Sequence, residues 1–471
     1  MPHRLPRHRF SGALLVSLAA CARYVPQPVD PAAHPAAYRA RRLDDTALVA
    51  WVARFAEPPA GGRWTDHQLA LAALRFRAEL VRARAQWRTA VAAERTAGAR
   101  PVPGAQADVE RAVGGNRDES PWVVSLAALA TVELGGKRGA RLQRARAQTT
   151  VAEGELRFTA WRIVQRTRAA AAALVSAEAG LGQARREAEA VREVQMLERG
   201  RYQEASLGSA ELARTGAEVE AARAQVTAAA GAALGARAEL AGALALPAAA
   251  LETLAVTPVR SAGCTLLDSA SVDSMAILSL TRRPELARAL AEYAVAEADV
   301  RLEVARQRPD LDLGPGFIFD QGIKRWTLGL ALPGLLGFRN RAPIVEAEAA
   351  RAAAAARVAE SQDSLLAEVD AAAAGCRAAV LERAAADSQV AVARHAAELA
   401  RAAYGRGETT RLEPALATLT LVRAERSRQS AEARLLTAGQ SLEAALGAWG
   451  SGPGQRWPDV RATEDLEGAG R

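Results

Sequence analysis

The sequence predicts a mainly α-helical protein with a small β part, built from a helix–β-hairpin–helix–helix unit that occurs twice. Three observations carry this. The same landmarks recur in the same order in both halves of the chain, long Ala/Arg/Glu stretches keep one apolar stripe at helical spacing, and short stretches beside them alternate apolar and polar residues. The recurrence has a period of about 200 residues, far above the roughly 20–50 of solenoid repeats, so it reads as a duplicated domain. In the first copy Leu69, Phe76 and Trp87 mark a helix, Trp122-x-x-x-Leu126-Ala127 opens an apolar stretch, and Gly136-Lys137-Arg138 closes it before a long helix. In the second copy Leu286 and Tyr293, Trp326-x-x-x-Leu330-Ala331 and Phe338-Arg339-Asn340-Arg341 take the same places. Each long helix then breaks at a tyrosine-bearing turn, Tyr202 to Gly208 and Tyr404 to Thr410.

The first element in chain order is an export signal. His3, Arg4, Arg7 and Arg9 precede the apolar run Ala13 to Ala20, which ends at Cys21. Leu18-Ala19-Ala20-Cys21 resembles the lipobox of bacterial lipoproteins, which would make Cys21 the lipid attachment site and the first residue of the mature protein. The alternative is an ordinary signal peptide with a chance cysteine after its cleavage site. On either reading the protein leaves the cytoplasm.

Residues 21–62 carry Pro26, Pro28, Pro31, Pro35, Pro58 and Pro59 and read as an extended strap, with one short helix allowed between Leu43 and Phe55. The first repeat then spans 63–258, with a hairpin about 101–134. A linker covers 259–280, the second repeat spans 281–450 with a hairpin about 310–333, and 451–471 form a C-terminal tail. Within the long helices, Val358, Leu365, Leu366 and Val369 share one stripe, as do Ile163, Val164, Leu174 and Leu181. Helices of about 60 residues reach about 90 Å at 1.5 Å per residue.

The hairpin strands are apolar on one face. Trp326, Leu328, Leu330 and Leu332 alternate with Thr327, Gly329 and Ala331, and Leu311, Leu313, Phe317 and Phe319 precede them across an Asp320-Gln321-Gly322 turn. Trp122, Val124 and Leu126 alternate likewise, whereas their partner, Pro101 to Val109, is polar and weak. Strands of this length with one apolar face suit a membrane β-barrel. Four strands from one chain leave open edges that lipid does not tolerate, so several copies must close such a barrel together. The alternative is a soluble sheet whose apolar face is covered by the helices.

Composition fits an elongated helical object better than an enzyme. Of the 471 residues 50% are apolar, mostly alanine, and only 4% are aromatic, too few for a thick aromatic core. The formal charge of +8 comes almost wholly from arginine interleaved with Glu, as in Arg185-Arg186-Glu187-Ala188-Glu189, so a solvated helix face is expected and no nucleic acid partner. Five histidines form no ligand cluster, and no metal or cofactor is expected. Cys264 and Cys376 could pair only if the fold brought them together, and their places in a linker and mid-helix speak against it. Gly135-Gly136-Lys137 lacks the earlier loop glycine of a P-loop, and His-Glu-x-x-His, Gly-x-Ser-x-Gly and Cys-x-x-Cys are absent.

Taken in order, the lipobox, the proline-rich strap, the duplicated unit and the Tyr-x-x-Gly turn resemble the TolC-like outer membrane efflux proteins from Cys21 to about Gly447. Arg308-Pro309-Asp310-Leu311, Gly136-Lys137-Arg138, Pro343-Ile344-Val345-Glu346-Ala347 and Tyr404-Gly405-Arg406-Gly407 carry the resemblance. It implies a homotrimer in the outer membrane, with a 12-stranded barrel continued by a long periplasmic α-helical tunnel. The tunnel's far end would meet a periplasmic adaptor and an inner-membrane transporter, with Tyr202, Gly208, Tyr404, Gly407 and Thr410 in the tip turns. Glu211 and Glu413, each nine residues after a tyrosine, match a pore-constriction position of the family. Each also reads as an N-terminal capping residue, Thr410-x-x-Glu413 as a capping box and Gly208 with Glu211 as a poorer one. A further family acid position falls on Leu416, and Thr409 stands where some members carry arginine. Arg406 and Arg411 are the candidate adaptor-facing residues. The expected function is a passive exit duct without catalysis, and the alternative is a non-conducting lipidated scaffold.

Overall fold

Four antiparallel strands from the two halves of the chain meet edge to edge in a computed structural model that describes residues 24–59, 61–111, 113, 120–257, 263–268, 272–320, 322–333, 340–449 and 456–462. The export signal, Cys21, Gln321, Phe338 and Arg339 lie outside these residues. Two units are distinguished, dividing at Arg41 and Arg42. In the first, α1 (Ala33–Ala40) follows a turn in which Asp30 Oδ1 accepts from Ala32 N at 2.8 Å. The sequence had this stretch extended. Pro35 falls in the first turn of α1, where its missing N–H has no intrahelical partner to lose.

The second unit opens with α2 (Thr46–Val52), capped by Asp45 Oδ1, which accepts from Ala47 N. Next come β1 (Arg63–Trp64), α3 (Asp66–Phe76) and α4 (Ala78–Ala97). A capping box starts α3. Gln68 N donates to Thr65 Oγ1 at 3.2 Å while Thr65 N donates to Gln68 Oε1 at 2.8 Å. The first hairpin is β2 (Gly104–Arg111) and β3 (Trp122–Val132), and the second is β5 (Leu311–Asp320) and β6 (Ile323–Ala331). Between them run the 67-residue α5 (Lys137–Gln203), α6 (Ser209–Leu244), β4 (Ala255–Val256), α7 (Val272–Arg282) and α8 (Pro284–Ala305). The 65-residue α9 (Arg341–Gly405) and α10 (Leu412–Ala445) complete the second repeat. Helix α7 takes up residues 272–280 of what the sequence presented as linker, because Met275 and Ala276 anchor it on Val369 of α9 and Leu442 of α10.

The sheet order is β2-β3-β5-β6, with β1 and β4 forming a separate parallel pair. Both hairpins lead into their long helices through a left-handed residue, Gly136 (φ 78°) and Asn340 (φ 41°). Asn340 tolerates this conformation by donating Nδ2–H to the Glu303 carbonyl at 2.7 Å. At Gly135 (φ 75°) a Cβ would come within 2.8 Å of the Ala305 carbonyl oxygen, so only glycine fits where the two repeats touch.

The largest apolar cluster sits at mid-length of α5. There Leu156, Ile163, Val164 and Leu174 pack with Leu69, Leu71 and Leu80 of α3 and α4, Trp51 of α2, and Leu240 and Leu244 of α6. Buried polar ties join the repeats at this level. The guanidinium of Arg168, 4% exposed, binds Asp66 and Glu443 at 2.9 Å each, one from each repeat. Burial opposes its charge, but the two carboxylates outweigh that and push its pKa above the usual arginine value. Arg283 donates to the Ala444 and Ala445 carbonyls at the end of α10, pairs with Glu285 and Glu368, and lies 4.9 Å above the Trp161 ring.

The main correction to the sequence reading is covalent. Cys264 and Cys376 are disulfide-bonded, their Cα atoms 5.3 Å apart. The linker does not stand off the bundle: it turns in a 3₁₀ helix at Gly263–Asp268 and lies against α10 and α9.

Arg168→Met should destabilise the protein by about 3–5 kcal/mol, because Glu443, 1% exposed, would lose its buried guanidinium partner. Adding Glu443→Leu should recover much of that loss, and denaturant unfolding of the detergent-extracted protein measures both.

Candidate functional site

Two regions carry the residues singled out by the sequence: the sheet and the pair of turns at the far ends of the long helices. In the sheet, the pairing Val109↔Val124, Val124↔Phe319 and Phe319↔Lys324, continued by Leu126↔Phe317 and Phe317↔Trp326, fixes which side chains share a face. One face gathers Ala105, Ala107 and Val109 of β2, Trp122, Val124 and Leu126 of β3, Leu313, Phe317 and Phe319 of β5, and Trp326, Leu328 and Leu330 of β6. The polar strand β2 thus contributes three apolar residues to this face and sends Gln106, Asp108 and Glu110 to the other.

The opposite face carries the hydrogen bonds and an ion pair beside Val123, Leu129, Ile318 and Ile323, while Arg111 and Lys324 lie on the apolar face near the hairpin turns. Ser125 Oγ donates to Asp108 Oδ2 at 3.1 Å, Thr131 Oγ1 to Asp312 Oδ1 at 2.6 Å, and Arg325 pairs with Asp320 at 3.0 Å. The apolar face stands open: Trp326 is 85% exposed, Leu328 67% and Leu330 64%. These side chains are left uncovered by the chain's own helices, unlike the covered sheet that the sequence left as an alternative. Asp310 locks the two hairpins at their helix end, accepting from Leu134 N at 3.1 Å and Lys137 Nζ at 2.8 Å.

At the far end the two turns use one hydrogen-bond pattern. Ala205 N donates to Tyr202 O and Ser206 N to Arg201 O; Gly407 N donates to Tyr404 O and Glu408 N to Ala403 O. The residue three after each tyrosine is left-handed, Ala205 (φ 58°) in the first copy and Gly407 (φ 75°) in the second. Gly208, the last residue of the turn in the sequence reading, is the extended N-cap of α6 (φ −77°, ψ 148°). Tyr202 and Tyr404 sit in the last turns of α5 and α9, 45% and 46% exposed.

Glu211 and Glu413 are both exposed in the first turns of α6 and α10. The structure brings these helix starts to one end of the bundle, where Val219 and Ala222 of α6 share an apolar cluster with Leu412, Ala415 and Leu419 of α10 and Val191 and Val194 of α5. The capping box at Thr410 does not form. Arg411 is already helical (φ −60°, ψ −18°), so Glu413 N reaches the Thr410 carbonyl at 3.2 Å instead of its hydroxyl. Arg406 holds the exposed Glu408 carboxyl below the usual carboxylate range through two hydrogen bonds, and Arg411 pairs with Glu193 at 3.5 Å.

Sequence reasoning missed a charged cluster just above the turns. Glu187, 7% exposed, accepts from Arg423 at 3.2 Å and Arg426 at 2.7 Å, and Arg423 also reaches Glu218 at 3.2 Å. These bonds tie α10 of the second repeat to α5 and α6 of the first. In helices this rich in Arg and Glu, no spacing signal separates them from solvated neighbours.

Residues 277–448 match the family model for outer membrane efflux proteins. No curated protein matches the chain by sequence. Among solved structures, the fold is similar to that of VceC from Vibrio cholerae (TM-score 0.65, 20% identity, 81% of this chain and 96% of that one). It is also similar to the outer-membrane channel OprN (TM-score 0.65, 21% identity, 82% and 90%) and to the open state of the MtrE channel of Neisseria gonorrhoeae (TM-score 0.62, 19% identity, 81% and 89%). At these identities the likeness establishes the fold, a mostly helical chain with a small sheet. The domain match adds that residues 277–448 resemble outer membrane efflux proteins. That family consists of outer-membrane efflux channels, which are passive ducts and not enzymes.

Thr410→Ala should change stability by less than about 0.5 kcal/mol, whereas a working side-chain cap would cost about 1 kcal/mol on removal. Thermal unfolding of the variant beside the parent protein checks this.

Proposed function

We propose that the protein is the outer-membrane component of a tripartite export system, a passive duct that carries cargo from a periplasmic adaptor and inner-membrane pump to the outside. The observation that carries this reading is the sheet register. It gathers large apolar side chains of β3, β5 and β6 with Val109 of β2 on one open face and puts the sheet's side-chain hydrogen bonds on the other, the pattern expected of a barrel wall between lipid and a wet lumen. Each chain ends its sheet in β2 on one side and β6 on the other, and lipid offers such edges no hydrogen-bond partners. Copies of the chain therefore pair β6 to β2. Three copies give the 12-stranded barrel implied by the resemblance, and their long helices continue it as the tunnel. In this arrangement Cys21 carries the lipid anchor.

At the tunnel's far end Glu211 and Glu413 ring the constriction. Three copies place six carboxylates there, which favours cations and opposes anions. Leu416 and Thr409 leave this ring without the additional acid and the arginine of some family members. Arg406 and Arg411 already hold carboxylates of their own chain, so an adaptor that docks on them must compete with Glu408 and Glu193.

Two experiments test the reading. Membrane fractionation and the native mass of the detergent-extracted protein should show an outer-membrane trimer. In planar bilayers the trimer should conduct and prefer cations, and Glu211→Gln with Glu413→Gln should move the reversal potential in a salt gradient toward zero. A protein released without detergent once its anchor is removed, or an oligomer that does not conduct even with both glutamates replaced by alanine, would leave the scaffold reading.

The lipid face has its own check. Leu328→Arg should cost about 2–4 kcal/mol, the penalty for a cation on the lipid side near the bilayer midplane, while Thr327→Arg on the polar side should be tolerated. Urea unfolding from lipid vesicles compares the two.

A further inference from the structure

We propose that the Cys264–Cys376 disulfide is one half of a cross-tie that fixes α9 and α10 to each other at a single level and confines movement of this helix pair to its far arm. The inference stands on the bonding of the second repeat and does not depend on conduction. Three contacts carry it.

First, Cys264 of the 3₁₀ helix at Gly263–Asp268 is bonded to Cys376, which is fully buried in α9. Second, the neighbouring Gly263 rests on α10: a Cβ there would lie 2.1 Å from the Gly439 carbonyl oxygen and 3.0 Å from the Gly439 Cα. Backbone meets backbone, which requires glycine at position 263. Cys264 Sγ also lies 3.9 Å from the Leu435 carbonyl oxygen of α10. Third, the two anchor points face each other across the helix pair. The antiparallel register is read from Arg383–Glu432 at 2.8 Å, and continuing it seven residues along each helix pairs position 376 with position 439. The linker therefore touches α10 and is bonded to α9 at one height, and α7 follows it onto both helices through Met275, Val369 and Leu442.

From this level to the end of α9 at Gly405 is about 30 residues, an arm of about 45 Å. Sliding of α9 against α10 at the tie would carry the bonded linker along with α9 and break its close backbone contact with Gly439, so bending or rotation begins beyond it. The α5/α6 pair of the first repeat has no equivalent, since the chain's cysteines are Cys21, Cys264 and Cys376. The duplicated unit is thus asymmetric, with one helix pair bridged by a linker covalently bonded to α9 and the other lacking such a bridge. Forming the bond converts two thiols to a disulfide; their two protons go to solvent and base, and their two electrons reduce the disulfide of a thiol oxidase, the oxidant class of compartments in which exported proteins fold.

Hydrogen exchange of the detergent-extracted protein, read by peptide mass spectrometry, tests the tie. The oxidised parent is compared with the Cys264→Ser/Cys376→Ser double variant and with the parent reduced by dithiothreitol after folding, which covers the case of a variant that does not fold. Exchange in α10 around 432–446 and in α9 around 366–380 should rise at least tenfold in both samples, while α5 and α6 keep their parent rates. Thiol titration of the denatured, unreduced parent should find neither Cys264 nor Cys376 free. Unchanged exchange, an equal rise in both helix pairs, or two free thiols in the parent would each overturn the proposal.

Discussion

Everything in this protein hangs from the level at which α5 is buried. A 67-residue helix of Ala, Arg and Glu presents only a thin apolar stripe, and no isolated helix of that composition holds a fixed direction over its whole length. The structure meets this with one dense cluster around Leu156, Ile163, Val164 and Leu174, where α2, α3, α4 and the end of α6 close on it. Arg168 in the same stretch joins Asp66 of the first repeat to Glu443 of the second. The two repeats are fixed to each other here, and the sheet on one side and the turns on the other inherit their placement from this crossing.

Away from that level the bundle relies on pairs. Toward the sheet, Asp310 bonds to Lys137 and to the backbone of Leu134, so the hairpins leave the helices as one unit. Toward the turns, Glu187 with Arg423 and Arg426 and the small cluster of Val191, Val219 and Leu419 hold α10 against α5 and α6. The second repeat adds a covalent bond that the first lacks, so equivalent helices of a duplicated unit differ in how they are restrained.

Much of the architecture was legible because it is periodic. The alternation of Trp326, Leu328 and Leu330 with Thr327 and Gly329 set both faces of β6, and the recurrence of Tyr202 and Tyr404 located both far turns. Even the weak strand β2 takes its faces from alternation once Val109 is paired with Val124. Less was legible where a single bond decides. Thr65 and Gln68 form a capping box that went unread, while Thr410 and Glu413, which spell a better one, do not form it because Arg411 enters the helix a residue early. The left-handed residue of the first turn is Ala205, not the nearby glycine, because the hydrogen bonds to Tyr202 and Arg201 fix the geometry by distance along the helix.

By itself the sequence determined the class of fold, the two long helix pairs, the hairpins and the apolar face of the sheet, since each follows from spacing along one element. Only the tertiary structure decided what depends on two distant segments meeting. It chose Arg168 from among dozens of arginines, buried Glu187 between two others, laid the linker on Gly439 and so brought Cys264 to Cys376. Periodicity is a local property of a chain, whereas a disulfide, a buried ion pair or a glycine contact is set by the path the backbone takes between elements.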